Sequence, residues 1–67
     1  MQNNNIVYYD GLNAEKYGHL YTIVEINSKY KDIKTREWIP CVIYRDNENN
    51  NLFVRELNDF KNNFKKY

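Results

Sequence analysis

Glycine is almost missing from this chain: Gly11 and Gly18 are the only two in 67 residues. No glycine-rich loop can therefore cradle a phosphate. Cysteine is scarcer still. Cys41 alone excludes an intramolecular disulfide, and with His19 as the only histidine it leaves too few ligands for a protein zinc site. A single histidine without a nearby Ser or Cys nucleophile gives no triad, and no carboxylate pair at helical spacing offers a general acid and base. His19 and Cys41 are read as a surface imidazole and a buried structural thiol. Neither catalysis nor a cofactor is expected.

Charge of one sign is also lacking. Ten basic side chains face nine acidic ones, a net charge of +1, so no long-range field draws in nucleic acid or an anionic membrane. No apolar run approaches the ~20 residues of a membrane span. The Asn-rich start has none of the basic-then-apolar form of a signal peptide. A cytoplasmic protein that does not engage a membrane is the expectation.

Aromatic residues are plentiful: seven Tyr, three Phe and one Trp. They matter because a chain this short makes one domain (residues 1–67) and buries only about 60% of its unfolded surface. Each ring buries about 150–250 Å² when covered, which is the main route to stability without a disulfide or metal. Asn, Lys, Ile and Tyr are enriched together. Their codons are AT-rich, which suggests a bacterial or phage source.

Met1 to Asn5 is polar and expected to fray. Ile6 to Tyr9 is a short β-favouring run stopped by the turn pair Asp10-Gly11. Asn13 to Lys16 can form one capped helical turn, and Gly18 lets the chain change direction. Leu20 to Ile26 alternates as a strand, with Tyr21, Ile23 and Glu25 facing one side. Asn27 to Arg36 reads as a long polar hairpin loop, or as two strand ends that extend and splay.

Glu37 to Arg45 is the next strand, holding the only Trp, Pro and Cys. Pro40 cannot donate to a ladder, so it belongs at an edge, a bulge or the strand's start. Asp46 to Asn51 is an Asx-type turn, and Leu52 to Glu56 returns as a strand. Leu57, Phe60, Phe64 and Tyr67 then fall on one helical stripe. Asn58 is the expected N-cap, with Asp59 near the positive end and Lys61, Lys65 and Lys66 near the negative end.

The Glu37–Arg45 strand is apolar on both sides. Ile39, Cys41, Ile43 and Arg45 make one face, which reads as barrel interior. Trp38, Pro40, Val42 and Tyr44 make the other, either a recognition surface or the seat of the C-terminal stripe. The candidate binding set is Tyr21, Trp38, Tyr44, Phe53, Arg45 and Arg55. The two arginines can take a carboxylate or phosphate in fork geometry, or pair with Glu25, Glu37 or Glu56. A second candidate is the basic segment Lys29, Tyr30, Lys31, Lys34 and Arg36, since single-strand nucleic-acid binders combine cations with stacking rings.

From Gly18 onward the chain resembles a small uncharacterised family of bacterial and phage domains with SH3-like barrels. The matching residues are Gly18, Leu20-Tyr21-Thr22-Ile23-Val24, Thr35, Glu37, Val42-Ile43-Tyr44, Leu52-Phe53-Val54-Arg55-Glu56-Leu57 and Phe60. Phe53 stands where the family has Trp, Glu56 where it has Pro, and the aromatic-His pattern before the glycine is missing. The resemblance implies a mainly β fold, a small SH3-like barrel with a short C-terminal helix, and no particular activity. The functional expectation is a non-catalytic binding module, monomeric or homodimeric, phage-borne and acting on a host protein. Single-stranded nucleic-acid binding, or capture of a small nucleotide-like anion, is the alternative.

Overall fold

Alternation of apolar and polar residues builds most of this molecule, and the computed structural model of it describes residues 5–67. Of the stretch expected to fray, residues 1–4 lie outside the described residues. The Asn5 carbonyl, in contrast, accepts the Ile23 N–H at 2.8 Å. The elements run β1 (Ile6–Tyr9), β2 (Leu20–Lys31), β3 (Trp38–Asp46), β4 (Leu52–Glu56), α1 (Leu57–Asn63) and β5 (Phe64–Lys66). All pairs are antiparallel in one sheet ordered β4-β3-β2-β1-β5.

Every strand but β4 contributes buried residues to the core. Val7 and Tyr9 from β1, Tyr21 from β2, Val42 and Tyr44 from β3, and Phe64 from β5 form a buried cluster with Phe60 of α1. Ile23 and Leu57 pack against it. Phe64 is its hub, with ring centroids 5.4 Å from Tyr9, 5.4 Å from Tyr21, 5.2 Å from Tyr44 and 4.3 Å from Phe60. The first three meet it edge-on, the arrangement aromatic quadrupoles favour, and Phe60 stacks on it.

The aromatic side of β3 had two readings, a recognition surface or the seat of the C-terminal stripe, and the aliphatic side was read as the interior. Val42 and Tyr44 lie under Phe60 and Phe64, Tyr44 with 4% of its surface exposed. The seat therefore describes this part of the strand, and the core cluster lies on the aromatic side and not on the aliphatic one. The reason is volume: the tail's phenyl rings need an aromatic seat, and Tyr21 and Tyr44 supply it. The helix was expected to carry the stripe to Tyr67. It ends at Asn63, and Phe64 is extended at φ −130°, ψ 142°. A seven-residue helix has little stability of its own. The chain satisfies its backbone by pairing with β1, where Phe64 sits opposite Tyr9. The cap moves too, since the Glu56 carboxylate accepts the Asp59 N–H at 3.0 Å, taking the place expected of Asn58.

Four strand spacings would hold β4 and β5 about 19 Å apart in a flat sheet. Seven helical residues rise only about 10 Å. The sheet therefore curls around α1, its edges approaching without pairing, and it stays open. Two irregularities in β2, between Ile23 and Glu25 and between Glu25 and Ser28, help it bend. They also move Glu25 to the side of Ile43, off the side shared by Tyr21 and Ile23. Gly11 is needed where it stands, because a Cβ there would run into the Tyr9 ring and the Asn63 side chain.

Candidate functional site

β2 runs five residues further than Ile26, so the extended one of the two hairpin readings is nearer, with two differences. Only β2 lengthens, since β3 starts at Trp38, and the strand ends pair where they were expected to splay. Tyr30 opposes Ile39 and Lys31 opposes Trp38, giving a two-stranded arm turned over at Asp32–Glu37. The turn explains the length. The Lys34 N–H binds the Asp32 carboxylate at 2.9 Å, the Arg36 N–H binds the Asp32 carbonyl at 2.7 Å, and Arg36 takes a left-handed φ of 63°. The β3–β4 connection uses the same device. Glu48 N–H binds the Asp46 carboxylate at 2.8 Å, Asn50 N–H binds the Asp46 carbonyl at 2.8 Å, and Asn50 has φ 64°. An Asn at the left-handed position made the second turn readable; an Arg hid the first.

The arm carries the exposed chemistry. Pairing puts Lys29 and Lys31 on the same side as Pro40 and Trp38, and the Lys31 ammonium lies 6.0 Å from the Trp38 ring centroid. Trp38 is 61% exposed. Tyr30 occupies the opposite side with Ile39, and Ile33, Lys34 and Arg36 are exposed at the tip. Pro40 opposes Lys29 within the paired region, on an arm flanked by no third strand at that level.

The remaining candidates are dispersed. Tyr21 and Tyr44 are core residues and offer a partner no surface. Phe53 is exposed at the rim, its ring 5.7 Å from that of Tyr44. Arg55 opposes Val42 whereas Arg45 opposes Leu52, so the two guanidinium groups leave opposite faces and share no site. Arg55 is engaged already: its Nε donates to the Tyr44 hydroxyl at 3.2 Å, its Nη1 to the Asp59 carboxylate at 2.9 Å, and it lies 5.2 Å from the Phe64 ring centroid. Burial works against its charge, but these two acceptors outweigh it and hold its pKa above the usual arginine value.

One feature left no mark in the sequence. His19 Nε2 and the Asp46 carboxylate, 27 residues apart, meet at 2.8 Å. The imidazole bond, aided by the Glu48 N–H and opposed by burial, holds the Asp46 carboxyl below the ordinary aspartate range. Beside them lies an open cleft of about 360 Å³ lined by Gly18, His19, Leu20, Asn47 and Glu48. Among the described residues no Ser, Thr or Cys hydroxyl or thiol joins this pair: the Thr22 hydroxyl donates to Asn47 at 2.6 Å, and Cys41 is buried against Ser28. Tyr21 stacks edge-on beside His19, its pKa raised by burial and by Asp46. The pair ties the start of β2 to the end of β3. Among the described residues no three His, Cys, Asp or Glu side chains cluster as metal ligands would, and no helix is long and apolar enough to cross a membrane.

Compared with protein-family models, curated proteins and solved structures, the chain gives no match.

Proposed function

We propose that this protein is a non-catalytic binding module whose working surface is the β2–β3 arm, and that its partner is a protein with an acidic recognition surface. One observation carries the reading: Trp38 is displayed on a projecting arm beside Lys31 while every other aromatic of β3 is consumed by the core. Exposed tryptophan is among the commonest anchors of protein interfaces. Lys29, Lys31, Lys34 and Arg36, against Asp32 and Glu37, give the arm a local positive charge that the whole chain lacks. In this reading the protein is phage-borne and acts on a host protein. The fold is an SH3-like barrel left open between its edges. The support is a meander whose last strand returns to β1 after a short helix.

A second reading, single-stranded nucleic-acid binding, is favoured by the alternation of Lys29 and Lys31 with Trp38 on one side and by Tyr30 on the other. Such surfaces combine a cationic track with stacking rings. The Trp38→Ala variant separates fold from function, because the ring is exposed and its loss should leave circular dichroism and melting unchanged. With labelled oligonucleotides over a salt series, the protein reading expects flat anisotropy, whereas phosphate contacts give a steep salt slope. Capture of the host partner should fall at least tenfold in that variant. Undiminished capture, or an unfolded variant, would remove the arm from consideration.

A further inference from the structure

The open sheet ends in two edges, and they are guarded unequally. β5 is three residues long and two of them are Lys65 and Lys66, the kind of charge that discourages another strand from docking. β4 is five residues long, contains no Pro, Gly or Lys, and pairs with β3 without a bulge. Among the described residues its outer side meets no other strand, and Leu52, Phe53 and Val54 are all exposed. Unpaired N–H and C=O groups along such an edge are a template for strand addition.

We propose that β4 is a self-association edge, where a second copy of this chain adds its own β4 antiparallel across a two-fold axis at Val54. The strand is complementary to itself in that register. Val54 opposes its counterpart, Phe53 opposes Arg55, and Leu52 opposes Glu56, so no like charges meet. Phe53 and Arg55 can then form the cation–aromatic contact that Arg55 already makes with Phe64. Moving the axis to Arg55 would set two guanidinium groups directly opposite, which is unfavourable. The charges therefore exclude a shift of the axis towards Arg55. A net charge of +1 per chain adds almost no long-range repulsion between copies. On the face away from α1, Leu52 and Val54 of both copies join one apolar strip that isolated chains leave in water. Two five-residue strands make a contact well below the ~800 Å² per partner of stable interfaces, so the dimer depends on concentration.

This surface is separate from the arm, and the Trp38→Ala variant should associate like the wild type. Sedimentation of the intact protein from about 10 µM to about 1 mM should show the mass rising from 8.2 kDa towards twice that value. Val54→Lys should hold the mass at one chain throughout, with unchanged circular dichroism because Val54 is 56% exposed. Paired antiparallel Cα atoms lie about 4.5–5.5 Å apart, within disulfide range. Val54→Cys should therefore cross-link on mild oxidation, while Asn49→Cys in the β3–β4 turn should not. Cys41 is buried and should stay silent in both. A wild type that stays at one chain at the highest concentration would overturn the proposal. So would association that Val54→Lys leaves intact, or equal cross-linking at the two positions.

Discussion

Asp46 shows how much one side chain does in a chain this small. It accepts from His19 and from the Glu48 N–H, closes the β3–β4 turn through its carbonyl, and is nearly buried while doing so. Its folded-state carboxyl is more acidic than in the unfolded chain, chiefly through the His19 bond. The sign follows from linkage: this stabilisation is complete above the ordinary aspartate value near 3.9 and is lost as pH falls through the depressed folded value. Replacing Asp46 by Asn should lower stability at pH 6 by about 1.5 kcal/mol, the scale of a hydrogen bond to a charged group. The gap to wild type should shrink steadily below pH 4. Urea midpoints measured from pH 2 to 7 test this, and a gap independent of pH would show that the carboxylate's charge contributes nothing.

The elements that sequence made legible are those whose apolar period is unbroken and whose turns carry the usual residues. β1, the first half of β2, β4 and the Asn-rich turn fall where alternation and Asp-Asn chemistry put them. Three features were hidden or left between two readings, each for a physical reason. The outer half of β2, Asn27 to Lys31, is polar because the arm has solvent on both sides, so burial left no pattern there. β5 is too short to show alternation, and the spacing of Phe60 and Phe64 fits a helix equally well. Trp38 and Tyr44 share a side of β3, yet one lies beyond the reach of α1 and the other beneath it, which periodicity alone does not distinguish. The arm's turn carries the least suited residue in the molecule, Arg36 at φ 63°. Left-handed backbone costs an L-residue roughly 1–2 kcal/mol, and glycine is free of that strain. Arg36→Gly should therefore raise stability by up to about 1 kcal/mol, read as an upward shift in melting temperature. A lowered melting temperature would mean that the Arg36 side chain supports the arm in a way its exposed position does not suggest.

At the scale of the whole molecule, the aromatic core holds the fold, while the arm displays the exposed Trp38 on which the proposed binding role rests. A domain of this size without disulfides is expected to keep roughly 3–5 kcal/mol of net stability. Phe64 joins β5, α1, β1, β2 and β3 through four ring contacts, so no second cluster can take over if it is lost. Truncating such a ring typically costs about 3–5 kcal/mol, which equals the whole reserve. Phe64→Ala should thus abolish the cooperative melt at 25 °C, while Trp38→Ala, a larger deletion of surface on the same sheet, should leave it nearly unmoved. The contrast is the informative quantity, because both variants remove one aromatic side chain, the larger from the exposed arm and the smaller from the core. Thermal melts followed by near-ultraviolet circular dichroism measure it directly. If both variants lost the same stability, the arm would be part of the core's support and the separation between scaffold and binding surface would fail with it.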